Sequence, residues 1–197
     1  MIYKTSFGGF NLNKCFFLSM GPIFFMEKPF FFAVAAVTLD GFIARFSGHR
    51  VDWTSKEDNR HLHEIEDSAD VLLLAGKTYE VARKELAKKN CLVLTRGVKK
   101  PAEKNKFLTY INPAKTSLKK FIEEKGYKDV CILGGRFAYS YCLEHDLIDE
   151  IFLTIEPVVF GAGIGMFNKH VPMKKFRLVS VKKLNKNGTL LLRYAKK

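Results

Sequence analysis

Apolar positions along this chain fall in short unbroken runs, separated by stretches of mixed polarity. Phe30 to Val37, Val71 to Ala75, Cys91 to Thr95 and Val130 to Leu133 are continuous apolar runs of strand length, as expected for strands buried on both faces. Lys106 to Ile111 and Glu150 to Pro157 read as two more strands. Between them lie helical stretches. Ser55-Lys-Glu-Asp58 is a variant capping box, opening a helix that reaches about Ser68. Thr78 to Lys88 reads as a helix, and Pro113 and Ser117 precede one ending at Gly126. Gly134-Gly135 turns the last short apolar run into a helix from Phe137 to about His145. Phe176 to Leu184 and Thr189 to Tyr194 flank Asn185-Lys-Asn-Gly188, an Asn-Gly hairpin signal. Alternating strands and helices closed by a hairpin predict an α/β fold. Its mainly parallel, twisted central sheet carries helices on both faces and an antiparallel C-terminal hairpin. No repeat or linker interrupts residues 29–197, which are expected to form one domain.

Residues 1–28 differ from the rest. They are Phe-rich and nearly free of acids, and Gly21 and Pro22 interrupt their apolar run. That run is too short to span a bilayer as a helix, and no small-residue cleavage site follows. The expectation is an N-terminal extension that is disordered, or a translation start at Met26.

Composition sharpens the picture only in part. Thirty-three Lys and Arg against 20 Asp and Glu give a net charge of +13, which attracts anions, from nucleic acid to phosphorylated small molecules. The basic residues are scattered in pairs such as Lys99-Lys100, Lys119-Lys120 and Lys174-Lys175. They favour a solvated surface over a nucleic-acid face, and no aromatic stacking platform is interleaved with them. The four cysteines lack CxxC spacing, and Cys91 and Cys131 sit in apolar runs as small hydrophobes. A reduced, cytoplasmic setting is expected. His61-x-His63 would point to different sides of a helix, so no metal site is expected.

In sheets of this kind ligands bind beyond the carboxyl ends of the parallel strands. Three strand ends carry suitable residues. Ala75-Gly76-Lys77-Thr78 offers backbone N–H groups at a helix start together with a cation. Leu94-Thr95-Arg96 adds a hydroxyl and a guanidinium, and Gly134-Gly135-Arg136 lets a pyrophosphate approach the backbone. Glycine at a strand-to-helix turn is commonly only a steric need, but three such ends in order form a pattern. Asp52-Trp53-Thr54-Ser55-Lys56-Glu57-Asp58 supplies a lone Trp and a carboxylate that could handle protons. As N3 of the capping box, Asp58 could equally be no more than a helix cap. Gly161-Ala-Gly-Ile-Gly165 fails the dinucleotide fingerprint, because no helical pattern follows it.

The string Ala33-Val-Ala-Ala-Val-Thr-Leu-Asp-Gly-Phe-Ile-Ala44 resembles the opening strand of the dihydrofolate reductase superfamily, in particular the riboflavin-type RibD C-terminal branch. Asp52-Trp53-x-Ser55, Ala75-Gly-Lys-Thr-Tyr-Glu80, Ile132-Leu-Gly-Gly135 and Asp149-Glu150…Pro157…Phe160-Gly161 carry the same resemblance, in family order. It implies NADPH as hydride donor, a phosphorylated pyrimidine or a pterin as substrate, and a homodimer, with no membrane partner. By the same resemblance Ala35, Asp40 and Gly41 would lie by the nicotinamide. Gly76, Lys77 and Thr78 would hold phosphates, with Thr95 and Arg96 beside the adenosine, while Gly134, Gly135, Arg136 and Phe137 would cradle the pyrophosphate. Trp53, Ser55, Glu80 and Arg83 would meet the substrate, with Asp58 as the catalytic acid. Glu80, Arg83 and Lys84 depart from the riboflavin-type arrangement for a ribose phosphate. Lys88-Lys89-Asn90 stands where a folate enzyme would place an Arg.

Overall fold

A computed structural model of the protein describes residues 28–197, and the rest of the N-terminal extension lies outside the described residues. Eleven strands and four helices follow one another in the described chain. Strands β1 (Phe30–Thr38), β3 (Val71–Ala75), β4 (Cys91–Leu94), β6 (Leu108–Ile111), β7 (Asp129–Gly134) and β8 (Glu150–Glu156) form the parallel centre of a nine-stranded sheet. β10 (Phe176–Lys183) and β11 (Leu190–Lys196) extend one side, and β5 (Ala102–Asn105) closes the other. The strand order is β10-β11-β8-β1-β7-β3-β4-β6-β5. β11 runs antiparallel to β8, and β5 antiparallel to β6. A two-stranded ribbon pairs β2 (Phe42–Ala44) with β9 (Ile164–Gly165).

The central strands are buried on both faces, so alternate residues feed two separate cores. Phe31, Ala33, Leu73, Leu92, Val130 and Ile132 point to one side. There they pack with residues of α3 (Leu118–Lys125) and α4 (Arg136–Glu144). Phe32, Val34, Leu72, Leu74, Val93 and Cys131 point to the other. Their partners come from α1 (Lys56–Ser68) and α2 (Gly76–Ala82). Strict period-two burial on two-sided strands explains why the sequence shows unbroken apolar runs instead of alternation.

Four elements differ from expectation: the short strands β2 and β9 and the charged strand β5 are additional to those expected, and α2 is shorter. The strand read as Lys106 to Ile111 is the second arm of a hairpin. Lys106-Phe107 forms its turn, with the Asn105 side chain accepting the Phe107 N–H at 2.8 Å, and β5 is exposed and charged. Periodicity cannot reveal a strand whose side chains face water. The helix expected over 78–88 is regular only to Ala82 and then continues as turns. Only Leu86 of the later stretch is buried, so little packing holds it in a helix.

One feature of the register shapes everything above the sheet. β1 pairs with β7 only from Phe30 to Ala33, whereas its ladder with β8 runs from Phe32 to Thr38. Past Ala33 the two central strands diverge, and β7 pairs with β3 up to Leu74 opposite Gly134. Tyr139 of α4 reaches into the split, its hydroxyl donating to the Val34 carbonyl. The carboxyl edge is thus divided into a β1–β8 half and a β7–β3–β4 half.

Candidate functional site

On the β7–β3–β4 side the three glycine-bearing or basic turns become neighbours. Leu74 lies opposite Gly134, Ala75 opposite Leu94, and Leu94 opposite Ile111. Gly76, Lys77 and Thr78 open α2, Gly135 caps α4, and Thr95 and Arg96 leave β4 between them and Asn112. The turns are tightly set. A Cβ on Gly135 would stand 2.8 Å from Thr78 Oγ1, and one on Gly134, at φ 112°, would stand 3.0 Å from the Tyr139 hydroxyl. Only glycine suits both places. The Arg136 Nε–H donates to the Gly165 carbonyl at 3.0 Å, tying the start of α4 to the β2–β9 ribbon. Phe137 is exposed on the first turn of α4. Lys77 Nζ donates to Ser47 Oγ at 3.1 Å, and Arg96 is exposed.

The four helix starts at this edge are finished differently. Ser55 and Ser117 cap α1 and α3 with their hydroxyl oxygens, accepting from Asp58 N and Lys120 N. α2 and α4 begin at Ala75 and Gly135 with no side-chain cap. Their first N–H groups, which point off the edge, are therefore left to other acceptors.

The β1–β8 side is built from side chains. Asp58, three residues into α1, is only 6 % exposed, as Glu156 is at 3 % and Thr154 at 2 %. Thr154 and Glu156 are two apart on β8 and so share a face, turned to the start of α1. Burial pushes the Asp58 carboxyl above the usual aspartate range, and the neighbouring Glu156 charge adds to this. The hydroxyls of Thr154 and Thr54 and the His61 ring act in the opposite sense. Burial likewise lowers the His61 pKa. Trp53 Nε1 and His61 Nε2 are buried here without a hydrogen-bond partner among the described residues. Such atoms are costly unless something supplies the missing partner.

Asp58 and Ser55 settle the question of the helix cap. In a full capping box the N3 acid accepts the N-cap N–H. Here the Ser55 N–H goes instead to Glu156 Oε1 at 2.7 Å, while Glu156 Oε2 accepts the Thr189 hydroxyl at 2.7 Å. Thr189 in turn is bound by Asn185, which also reaches Glu57. Ser55, expected to meet substrate, has both its N–H and its hydroxyl oxygen engaged at the helix start. The sequence does not single out Glu156, Thr154 or Thr189, because Glu156 meets Ser55 across 101 residues and Thr189 matters through its bond to Glu156. A buried-type strand carrying Thr and Glu at its end is the one available signal.

Asp40 has an equally defined task. Its carboxylate accepts from the Thr38 hydroxyl and from the Phe160 and Gly161 N–H groups, the last at 2.7 Å. The Thr38 bond foremost keeps its pKa below the ordinary value. Gly41, at φ 84°, makes the turn that this clamp needs. The clamp sets Phe160 edge-on to Trp53, with centroids 5.0 Å apart, and under the Arg45 guanidinium at 4.9 Å. Ala35 lies just past the point where β1 leaves β7, buried on the α4 side. Glu80 and Arg83 are exposed on and just after α2 and do not join Asp58 and Trp53.

Comparison with known proteins agrees with this architecture. The chain is 30 % identical over 156 residues to the uncharacterized protein YwjB of Bacillus subtilis, covering 75 % of this chain and 87 % of that one. Its fold is similar to a pyrimidine reductase-like protein from Corynebacterium diphtheriae, with a TM-score of 0.68 at 17 % identity, covering 87 % of this chain and 93 % of the other. It is also similar to the diaminohydroxyphosphoribosylaminopyrimidine deaminase/5-amino-6-(5-phosphoribosylamino)uracil reductase of Thermotoga maritima. There the TM-score is 0.65 at 20 % identity, over 87 % of this chain but only 57 % of that longer protein. The model of the RibD C-terminal domain matches residues 81–190, more than half of the chain. The protein belongs to the RibD C-terminal domain family.

Proposed function

We propose that the protein is an NADPH-dependent reductase acting on a ribosylamino-pyrimidine phosphate, whose ribosyl group it converts to ribityl. The observation that carries this reading is the meeting of two uncapped helix starts, α2 and α4, where Gly135 and Thr78 are in contact. Backbone N–H groups without a side-chain cap and the helix dipoles make such a place suited to a pyrophosphate. A Cβ at Gly135 would fill the cradle, so the residues present fit a dinucleotide. Gly134, Gly135, Arg136 and Phe137 would hold its pyrophosphate, and Gly76, Lys77 and Thr78 its further phosphates. Lys77 and Arg96, with Thr95 beside them, favour a 2′-phosphate and hence NADPH over NADH. When bound, NADPH supplies the hydride.

The chain's own residues supply position and the proton. Trp53 and Phe160, the latter held by the Asp40 clamp, would form an aromatic wall of the substrate site. Reduction adds a hydride to a carbon and a proton to the neighbouring heteroatom. Asp58, buried and with a raised pKa, is suited to deliver that proton. A pterin or dihydrofolate is the second reading, favoured by the buried carboxyl of Asp58 beside Thr154, which suits an N–H-bearing heterocycle.

Fluorescence titration with NADPH and NADH tests the cofactor, with tight, NADPH-selective binding expected. Turnover with the ribosylamino-pyrimidine phosphate against dihydrofolate then separates the two substrates. Absence of binding to either nucleotide would overturn the reading.

A further inference from the structure

Two carboxyl groups compete for one helix end in this fold, and they are sorted by role. A Ser-x-x-Asp start ordinarily spends the acid on the N-cap N–H. In this protein Glu156, arriving from the end of β8, takes that N–H at 2.7 Å. Its other oxygen receives the Thr189 hydroxyl. Both oxygens of Glu156 are acceptors, and the residue is held from two directions, by α1 and by the β10–β11 hairpin. Asp58 is left without the capping bond. Its carboxyl lies beside the hydroxyls of Thr154 and Thr54, and Trp53 Nε1 and His61 Nε2 are buried without a hydrogen-bond partner among the described residues.

We propose that Glu156 is a positioning residue for Asp58: by accepting the Ser55 N–H in its place, it leaves the Asp58 carboxyl free of the helix cap and sets a second acid beside it. The inference rests on the reading of Asp58 as the proton donor, and it adds how a carboxyl at a helix start is kept available for that task. The groups that face Asp58 are few. Glu156 comes from β8, His61 from α1 and the Tyr139 hydroxyl from α4, while Lys182 of β10 faces His61. Glu156 is the one acid among them, so its charge makes proton release from Asp58 harder, whereas His61 makes it easier.

Two variants separate charge from geometry. Glu156→Gln keeps an oxygen for the Ser55 N–H and removes the charge. Glu156→Ala removes the acceptor, and the Asp58 side chain then becomes the natural acid for the Ser55 N–H. The first readout is the titration of the Asp58 side-chain carbon by NMR in the full chain, assigned by its loss in Asp58→Asn, with neither cofactor nor substrate present. In Glu156→Gln the midpoint should move to lower pH. In Glu156→Ala it should move further the same way, because a carboxylate that accepts an N–H is favoured as the anion. The second readout is turnover. Glu156→Ala should lose roughly a hundredfold, the scale of a displaced general acid, with NADPH affinity unchanged. Glu156→Gln should keep turnover at low pH and lose it earlier as pH rises. Circular dichroism of each variant checks that the fold is retained, and if Glu156→Ala does not fold, Glu156→Gln carries the test. An Asp58 titration unmoved by Glu156→Gln would overturn the proposal. If NADPH fails to bind, the reductase reading falls, while the titration still decides the role of Glu156.

Discussion

The two halves of the carboxyl edge, separated where β1 leaves β7, are made of different material. The β7–β3–β4 half is built from backbone: two uncapped helix starts, a Gly134-Gly135 turn, and side chains small enough for Thr78 to touch Gly135. The β1–β8 half is built from buried side chains, with two carboxyls, two threonines and an aromatic pair held by the Asp40 clamp. Backbone donors make a place for an anion at little cost, since their dipoles are already aligned. Buried carboxyls are costly and persist only where neighbours hold them, and burial raises the pKa of Asp58, as a proton-transfer role requires. On the proposed reading, one half would bind charge and the other would move it.

Substitutions should respect that division. The largest effect is expected from Asp58→Asn, which should lower turnover by roughly a hundredfold or more while leaving the NADPH dissociation constant unchanged. Steady-state kinetics beside a fluorescence titration check this, and a matching loss of binding would erase the boundary between the halves. Gly135→Ala should do the reverse. Its methyl group would meet Thr78 Oγ1 at 2.8 Å, an overpacking cost of about 1–3 kcal/mol. Nucleotide affinity should fall roughly ten- to a hundredfold, with the Asp58 titration unaltered.

A smaller effect belongs to Lys77→Ala. Losing one charge-assisted contact should weaken NADPH about tenfold and leave NADH almost unchanged, so the ratio of the two constants is the quantity to measure. Equal weakening of both would place Lys77 on the shared pyrophosphate and not on the 2′-phosphate.

The smallest effect is on stability. The Asp58 pKa in the folded protein is raised above its ordinary value of 3.8, so the folded state holds the proton more tightly than the unfolded chain does. That contribution is present below the unfolded value and is lost as pH rises through the folded one, above which a buried charge opposes folding. Asp58→Asn escapes this cost. Its melting midpoint should exceed that of the parent protein by a few degrees at pH 8, and the gap should close as pH falls toward 4. A gap independent of pH would mean that the carboxyl is not buried as a charge.

Legibility in the sequence follows the same division. The β7–β3–β4 half is legible in the chain itself, because Gly76-Lys77-Thr78, Thr95-Arg96 and Gly134-Gly135 each sit at the end of an apolar run. A strand end followed by a helix start is a local signal. The β1–β8 half is not legible in this way. Trp53 and Asp58 stand out by residue type, but the spacing of Ser55 and Asp58 suits a helix cap as well as a catalytic acid. In the fold Glu156, 101 residues away, takes the Ser55 N–H that the Asp58 carboxyl would accept in a capping box. Asp40 resembles a cofactor contact in the sequence, and in the fold it clamps Phe160, 120 residues on.

By itself, then, the sequence determined the succession of the central strands and the helices, the two-sided burial of those strands, the closing hairpin and the glycine turns. All of these follow from residue periodicity and from backbone preferences within a few neighbours. Only the tertiary structure decided that β1 and β7 diverge, that the three turns lie side by side, and that β5 pairs beside β6. It also decided which of two acids caps α1. Those outcomes depend on strand order and on hydrogen bonds between distant segments, whose partners a linear pattern does not name.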